Sequence, residues 1–425
     1  MIQLNQFFNG VGSSKHIQTA FDSIVCADIH TDIGSLTGKV ALAADATSGV
    51  PTETCVQCTS PAGTQYFFST TTGKQWKRNP STGAYTALTA NANTDGHRGC
   101  RYYNGYIRYW TASKLGKFVV ETEASRSDSH GTFTNGNAYG SCEENLTLYI
   151  TDGKYIASVN SSETFTANAL DIPAQFIGTC IIPDGFTNIL IGTIVGASAQ
   201  YCRGFLWDTY SDSFTLSDEV PEIGINSFLN CDEVILAQCG TTGKLYQWTG
   251  QTFAIWNNEL RDQTTTTGHQ MTTVLNSRPL IAVGTKIYSI YRKNAEMPRV
   301  VVQEYTATAA ITSMGVSGGT LVVSVAGGVN LSGTTKATAT IDTPEVSGRF
   351  NQVIVDYTSL PTSTAIGIST NLNGAGWVAQ TVITDTINKK AYFDGGLLDA
   401  AFLQARVTLT PSGTTSPVIN NITIQ

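Results

Sequence analysis

Apolar and aromatic residues come in short runs, and each run is closed by a cluster of Gly, Thr, Asn, Asp or Ser. Tyr66-Phe67-Phe68 gives way to Thr70-Thr71-Thr72-Gly73 and then to Trp76. Leu146 to Ile150 gives way to Thr151-Asp152-Gly153 and then to Tyr155 to Val159. Runs of this length between turn clusters predict strands, and Asp-Gly between two of them predicts a tight hairpin. Helical periodicity is almost absent. Its best candidate, Leu397 to Gln404, is barely two turns long and reads equally well as a loop and a strand.

A turn glycine, often a lysine, then an aromatic or apolar strand start recurs along the first 290 residues. It stands at Gly38-Lys39-Val40, Gly73-Lys74-Gln75-Trp76, Gly105-Tyr106-Ile107, Gly153-Lys154-Tyr155, Gly204-Phe205-Leu206, Gly243-Lys244-Leu245-Tyr246 (with Trp248 on the same strand) and Gly284-Thr285-Lys286. The mean spacing is about 41 residues. A period of about 40–50 residues with strand–turn–strand chemistry predicts β-propeller blades. The expectation is an all-β chain with six or seven blades over residues 1–298.

After Pro298 the pattern becomes plainer. Residues 299–425 hold no Cys, no His and one Trp, Trp377. Strand-like runs, among them Leu321 to Val325, Gln352 to Tyr357, Ala365 to Ser369, Arg406 to Leu409 and Val418 to Ile424, are separated by Ser317-Gly318-Gly319, Gly327-Gly328 and Asn373-Gly374. About eight short strands in such a stretch predict a second domain over 299–425, a two-sheet β-sandwich or jelly roll.

Composition narrows the function. Charged residues make up 13% of the chain and the net charge is −7, with Lys and Arg scattered singly or in pairs. No basic patch of the kind that grips a phosphate backbone is visible. The N-terminus lacks a basic region followed by an apolar run, and no apolar stretch approaches a membrane span. A chain without a membrane anchor, made and folded in a cytoplasm, is expected. The nine cysteines then read as reduced and mostly buried rather than as a disulfide framework.

Cys55-x-x-Cys58 and His97-x-x-Cys100 have the spacing of zinc-ligand pairs. Small buried thiols and a loop histidine are the commoner origin of such a pattern, and no cofactor is expected. Asp208 and Asp212 offer two carboxylates without the remaining ligands of a calcium loop. Arg98, Arg101 and Arg108 lie among Tyr102, Tyr103, Tyr106 and Tyr109. On a strand, Arg101 and Tyr103 share a face opposite Tyr102, so the set does not converge from one segment. Packing explains it better than catalysis, although Arg101, Tyr103, Tyr106 and Trp110 could make a stacking platform for a glycan. No nucleophile elbow, phosphate loop or His-Glu-x-x-His is present.

Ser69-Thr70-Thr71-Thr72-Gly73-Lys74-Gln75-Trp76 resembles the aspartate box of sialidase-type propellers, Ser-x-Asp-x-Gly-x-Thr-Trp, with Thr71 in place of the aspartate and Gln75 in place of the threonine. That box is a folding hairpin, so Ser69, Gly73 and Trp76 are read as structural, as are Gly153, Gly243 and Trp248. Ser369 to Trp377 is a related phrase that should close another hairpin.

The chain's two ends carry a further resemblance. Phe7-Phe8-Asn9-Gly10-Val11-Gly12, followed by Ala27-Asp28-Ile29-His30-Thr31-Asp32-Ile33-Gly34-Ser35-Leu36, looks like the opening of propeller-type virion proteins of tailed bacteriophages. Ala405-Arg406-Val407-Thr408-Leu409 and Ser416-Pro417-Val418-Ile419 resemble the sandwich of phage tail and adaptor proteins. The resemblance implies a non-enzymatic tail nozzle or stabilisation component. It would reside in the virion tail after synthesis in the host cytoplasm, and assemble with itself as a ring, often a hexamer, and with other tail proteins. An acidic, weakly charged surface suits a lumen through which DNA passes without specific binding. The alternatives are a glycan- or receptor-binding propeller module and a glycan-cleaving enzyme.

Overall fold

Backbone turns define the architecture. In the computed structural model, residues 2–4, 23–28, 36–92, 95–196, 200–231, 234–241, 243–257, 271–291, 300–384 and 389–425 are described. The Phe7 to Gly12 phrase, residues 29–35, His16, His30, His269 and the expected boundary at 298 lie outside them. Four hairpins have two-residue loops with positive φ at both positions: Asn104-Gly105, Asn145-Leu146, Asn276-Ser277 and Gly318-Gly319. Such primed turns match the right-handed twist of the flanking strands. Each joins the first and second strands of a small sheet. Gly153, Gly243, Gly284 and Gly327, also at positive φ, lie between second and third strands. Gly204 is no turn: it sits inside the strand Cys202–Trp207, where an added Cβ would strike Phe253.

These hairpins repeat a four-stranded unit at 55–87, 99–132, 138–171, 177–220, 225–257, 272–306 and 311–336, the last with Val40–Ala44 as its outermost strand. The result is a seven-bladed β-propeller, and no helix occurs among the described residues. Leu397 to Gln404 lies within the strand Lys390–Thr410. One expectation is therefore corrected. Strands Ile311–Ser317, Thr320–Val325 and Gly328–Lys336, read above as the start of the sandwich, build the seventh blade. They lack the cysteines and tryptophans of earlier blades, which hid their place in the period, but Gly318-Gly319 and Gly327 repeat the same two turns.

Two compact units share the chain: residues 44–285 with 307–331, and residues 1–43 with 286–306 and 332–425. In the first unit the opening strand of each blade packs on that of the next, from blade 1 through blade 7 and back to blade 1. Side chains alternate along each strand. In blade 1, Val56 and Phe68 point to one side, into a cluster with Ile107, Tyr109 and Phe118 of blade 2. Cys55 and Phe67 point to the other side, against Val322 and Val329 of blade 7. Among the described residues no backbone ladder joins blade 7 to blade 1, so side chains supply the bonds at this closing seam. The Gln57 amide donates to the carbonyls of Ser313 (2.9 Å) and Val322 (3.1 Å). Ser313 Oγ donates to the Cys55 carbonyl (2.7 Å), and the Cys55 N–H donates to Ser324 Oγ (3.1 Å).

In the second unit, Val346–Ser359, Ala365–Leu372, Lys390–Thr410 and Val418–Ile424 enclose one apolar core. Its residues come at every second position, as in Val353, Val355 and Tyr357, and again in Leu403, Ala405, Val407 and Leu409. Asn373, Gly374 and Gly376, all at positive φ, close the hairpin that ends at Trp377, as the Ser369 to Trp377 phrase implied. Arg406 makes a two-pronged contact with Asp342 (2.6 and 2.7 Å) and lies 4.2 Å from the centre of the Trp377 ring.

Replacing Gln57 by Ala removes two side-chain bonds across the seam. The expected cost is about 1–3 kcal/mol in urea unfolding. A loss under about 0.5 kcal/mol would show that the seam does not depend on this side chain.

Candidate functional site

The first strands of all seven blades surround a cavity of about 470 Å³. Its volume is in the range of small-molecule pockets, about 300–1,000 Å³. Many polar side chains on its wall are already bonded, within their own blade or to the next one. Gln57 is spent as described, and Thr59 Oγ1 donates to the Val316 carbonyl (3.1 Å). Thr179 Oγ1 donates to the carbonyls of Gly192 and Ile225, and Ser227 Oγ donates to Gln238 (2.7 Å). Thr272 Oγ1 donates to the Phe228 carbonyl (3.2 Å). The charged residues among the described lining are two arginines, Arg98 and Arg101.

The hairpin of blade 2 gathers Arg101, Tyr103, Tyr106 and Arg108 on one face and leaves Tyr102 and Tyr109 on the other. Asn104-Gly105 pairs Arg101 directly with Arg108, and Arg108 with Lys117 on the next strand, so three cations run in a row across one face of blade 2. The outer two share one carboxylate: Arg108 Nη2 and Lys117 Nζ (2.7 Å) both contact Glu163 Oε2. Arg108 is fully buried, its guanidinium 5.0 Å from the Tyr106 ring centre and 5.8 Å from that of Tyr103. Burial opposes ionisation of Glu163, but bonds from Lys117 and Arg108 outweigh it and hold its pKa below the usual carboxylate value. The innermost cation, Arg101, donates instead to the Ser141 carbonyl (3.1 Å). The register sets Arg101, Tyr103, Tyr106 and Trp110 on one face of blade 2, but blade 3 packs over much of that face. Tyr103 and Trp110 are buried between blades 2 and 3, with their polar atoms bonded to the carbonyls of Leu146 and Tyr139. Neither ring offers a free face for a sugar.

The zinc candidates are likewise parted. Cys55 and Cys58 are three residues apart on one strand and so project to opposite sides of the sheet. Cys55 packs toward blade 7, Cys58 borders the cavity and Cys100 is buried between blades 1 and 2. His97 is bonded elsewhere: its Nδ1 lies 2.9 Å from the Ser69 carbonyl, and its Nε2 lies 3.2 Å from the Gln75 amide. Burial brings its pKa down to about 4, so the ring is neutral near pH 7. Among the described residues no group of three metal-binding side chains comes together. Asp208 closes a local turn by accepting from the N–H groups of Tyr210 and Ser211.

The Ser69 to Trp76 hairpin behaves as a folding device, completed by a residue outside it. Ser69 Oγ accepts from the N–H groups of Thr71 (3.2 Å) and Thr72 (3.0 Å). Glu53 provides the carboxylate that Thr71 lacks, receiving Ser69 Oγ, Thr72 Oγ1 (2.7 Å) and Lys74 Nζ (2.6 Å). The Gly73 carbonyl accepts from Asn91 (2.8 Å), and Trp76 packs against the cluster around Phe67. Gly153 and Gly243 take the turn positions expected of them, and Trp248 is buried against Phe253. Neither Glu53 nor Gln57 was singled out in the sequence, because neither belongs to a motif.

Burial opposes ionisation of Glu53, but its bonds from Lys74, Ser69 and Thr72 win and bring its pKa down to about 2. A depressed folded-state pKa contributes stability above the unfolded-state value near 4.5, and that stability is lost as pH falls toward 2. Glu53→Gln should cost about 1–2 kcal/mol at pH 7. Urea titrations from pH 7 to 2.5 should show the two proteins converging as the pH drops; a constant gap would contradict this role.

Eight of the nine free cysteines are buried and Cys58 is half-buried. Burial pushes the thiols of Cys142 and Cys202 up to about 12 and those of Cys55, Cys180 and Cys239 higher. Iodoacetamide at pH 8 should therefore modify only Cys58 in the native protein, as read by peptide mass, and all nine after denaturation.

No family model matches the chain, and no curated protein matches it. Solved structures similar to it include a streptogramin B lyase, 14% identical with a TM-score of 0.50, aligned over 69% of this chain and 97% of that one. Virginiamycin B lyase from Staphylococcus aureus is 12% identical with a TM-score of 0.52, over 69% of this chain and 98% of that one. Kuenenia stuttgartiensis hydrazine synthase is 8% identical with a TM-score of 0.52, over 67% and 96%. At these identities the likeness is one of fold, the β-propeller.

Proposed function

We propose that the chain is a non-enzymatic structural component of a bacteriophage tail, a nozzle or stabilisation protein that works as a ring of its own copies. The observation that carries this reading is an open, uncharged edge. Trp377–Ile383 pairs only with Ala365–Leu372 among the described strands. Its sequence, Trp-Val-Ala-Gln-Thr-Val-Ile, contains no charge and no proline. Val378 and Val382, on either side of a register shift at Gln380, are 58% and 67% exposed. Edge strands of proteins that stay apart are commonly guarded by lysine or proline; this one has neither, although its register shifts once, at Gln380. This edge fits a second copy of the chain, and a ring follows if it meets a different surface of the next copy.

The finer architecture of the second unit belongs to the same proposal. Lys390–Thr410 changes partners along its length: its first part pairs with Val346–Ser359, its last part with Ala365–Leu372 and Ala339–Asp342. A strand that switches ladders over one core is how two packed sheets meet at a corner. We read these strands as the β-sandwich that mediates assembly with neighbouring copies, about six to a ring, and with other tail proteins in the virion. DNA would then pass through the lumen of that ring, unattracted by a surface of net charge −7.

Light scattering on the purified protein should give a multimer of fixed stoichiometry. The double variant Val378→Lys/Val382→Lys should shift it toward the 45.4 kDa monomer. A wild-type monomer at every concentration would overturn the self-assembled ring.

A further inference from the structure

We infer that the cavity at the propeller axis binds a small organic dianion, with Arg98 and Arg101 as its recognition groups. The inference is independent of any role in a virion. It starts from a charge that nothing in the described chain neutralises. Arg78, Arg108, Arg126, Arg203 and Arg406 each lie against a carboxylate. Arg98 and Arg101 do not, in a chain whose acids outnumber its bases by seven. The carboxylate nearest in the row, Glu163, is already shared by Arg108 and Lys117. Arg101 moreover stands directly opposite Arg108, and like charges facing each other across a strand pair are unfavourable. An anion beside Arg101 would offset that repulsion.

Both guanidiniums are held in place by blade 3. Arg98 Nη1 donates to Asn137 Oδ1 (2.7 Å), and its guanidinium carbon is 4.8 Å from the centre of the Tyr139 ring. Arg101 Nη1 donates to the Ser141 carbonyl. Each guanidinium has five N–H donors, so most remain for a ligand. Both forks are anchored on blade 3, through Asn137 and Ser141, and both border the cavity. Two anchored forks on one cavity suit two acidic groups a few bonds apart better than a single oxyanion. Arg98 and Arg101 are the charged groups of the described wall, so their charge and their paired forks decide what fits. A dicarboxylate of four to six carbons satisfies both, since each carboxylate can take a two-pronged contact from one guanidinium.

Calorimetry on the full chain at low ionic strength, with succinate, adipate and inorganic phosphate as probes, tests this. Saturable binding of at least one dicarboxylate is expected, weakened tenfold or more by Arg98→Gln and by Arg101→Gln and unchanged by the surface variant Arg203→Gln. Phosphate should bind more weakly than the better dicarboxylate. Arg101→Lys keeps the charge and loses the fork, and should weaken binding several-fold if the glutamine variant does not fold. Because Cys58 borders the same cavity, bound dicarboxylate should also slow its alkylation. Absence of saturable binding, binding indifferent to both arginines, or phosphate binding as tightly as the dicarboxylates would overturn the inference.

Discussion

A blade of four short strands has two apolar faces and cannot bury either alone, so the first unit depends on closing the ring. Closure falls on the seam between blades 7 and 1, whose residues are about 250 positions apart in sequence. Apolar matching at Cys55, Phe67, Val322 and Val329 supplies the burial. The bonds of Gln57, Ser313 and Ser324 supply the register, because each side chain reaches a backbone group of the facing blade. A buried amide with both of its neighbours' carbonyls met is a favourable arrangement; one left unmet would cost more than the bond itself contributes. The cavity at the axis is a consequence, since seven first strands brought face to side leave a space that their own side chains do not fill.

Charge is deployed sparingly, and its placement separates structure from chemistry. Glu53, Glu163 and Asp342 each take cations or hydroxyls that hold a hairpin or a pair of strands. His97 is kept neutral by burial and serves as a hydrogen-bonding spacer between Ser69 and Gln75. Against that economy, Arg98 and Arg101 stand out as cations with local anchors but no counter-charge among the described residues. In the second unit the contrast is of another kind: the strand Trp377–Ile383 presents valine to solvent where a lysine would have closed the edge.

Much of the all-β character and the blade repeat was legible in turn chemistry. Gly153 and Gly243 take up the left-handed positions their sequence announced. The phase of the repeat was less legible, because glycine marks different hairpins: Gly105 closes the first of its blade, Gly153 the second, and Gly204 none. Asn145-Leu146 and Asn276-Ser277 make the same primed turn with no glycine at all. Blade 7 was misplaced because its plain β-branched strands resemble those that follow it. The pairing of Arg101 with Arg108 could have been read from Asn104-Gly105, since a two-residue loop fixes register. Glu53 and Gln57 could not, because their roles rest on partners distant in sequence or outside any motif.

The seam is the claim on which the ring stands, and native-state hydrogen exchange across it is the most direct measurement. A ring closed by blades 7 and 1 predicts that residues 55–59 and 311–317 exchange as slowly as the first strands of blades 3 and 4, and open with them in a single cooperative step as urea is added. Faster exchange at 55–59 and 311–317 alone, opening at lower urea than the other first strands, would contradict it.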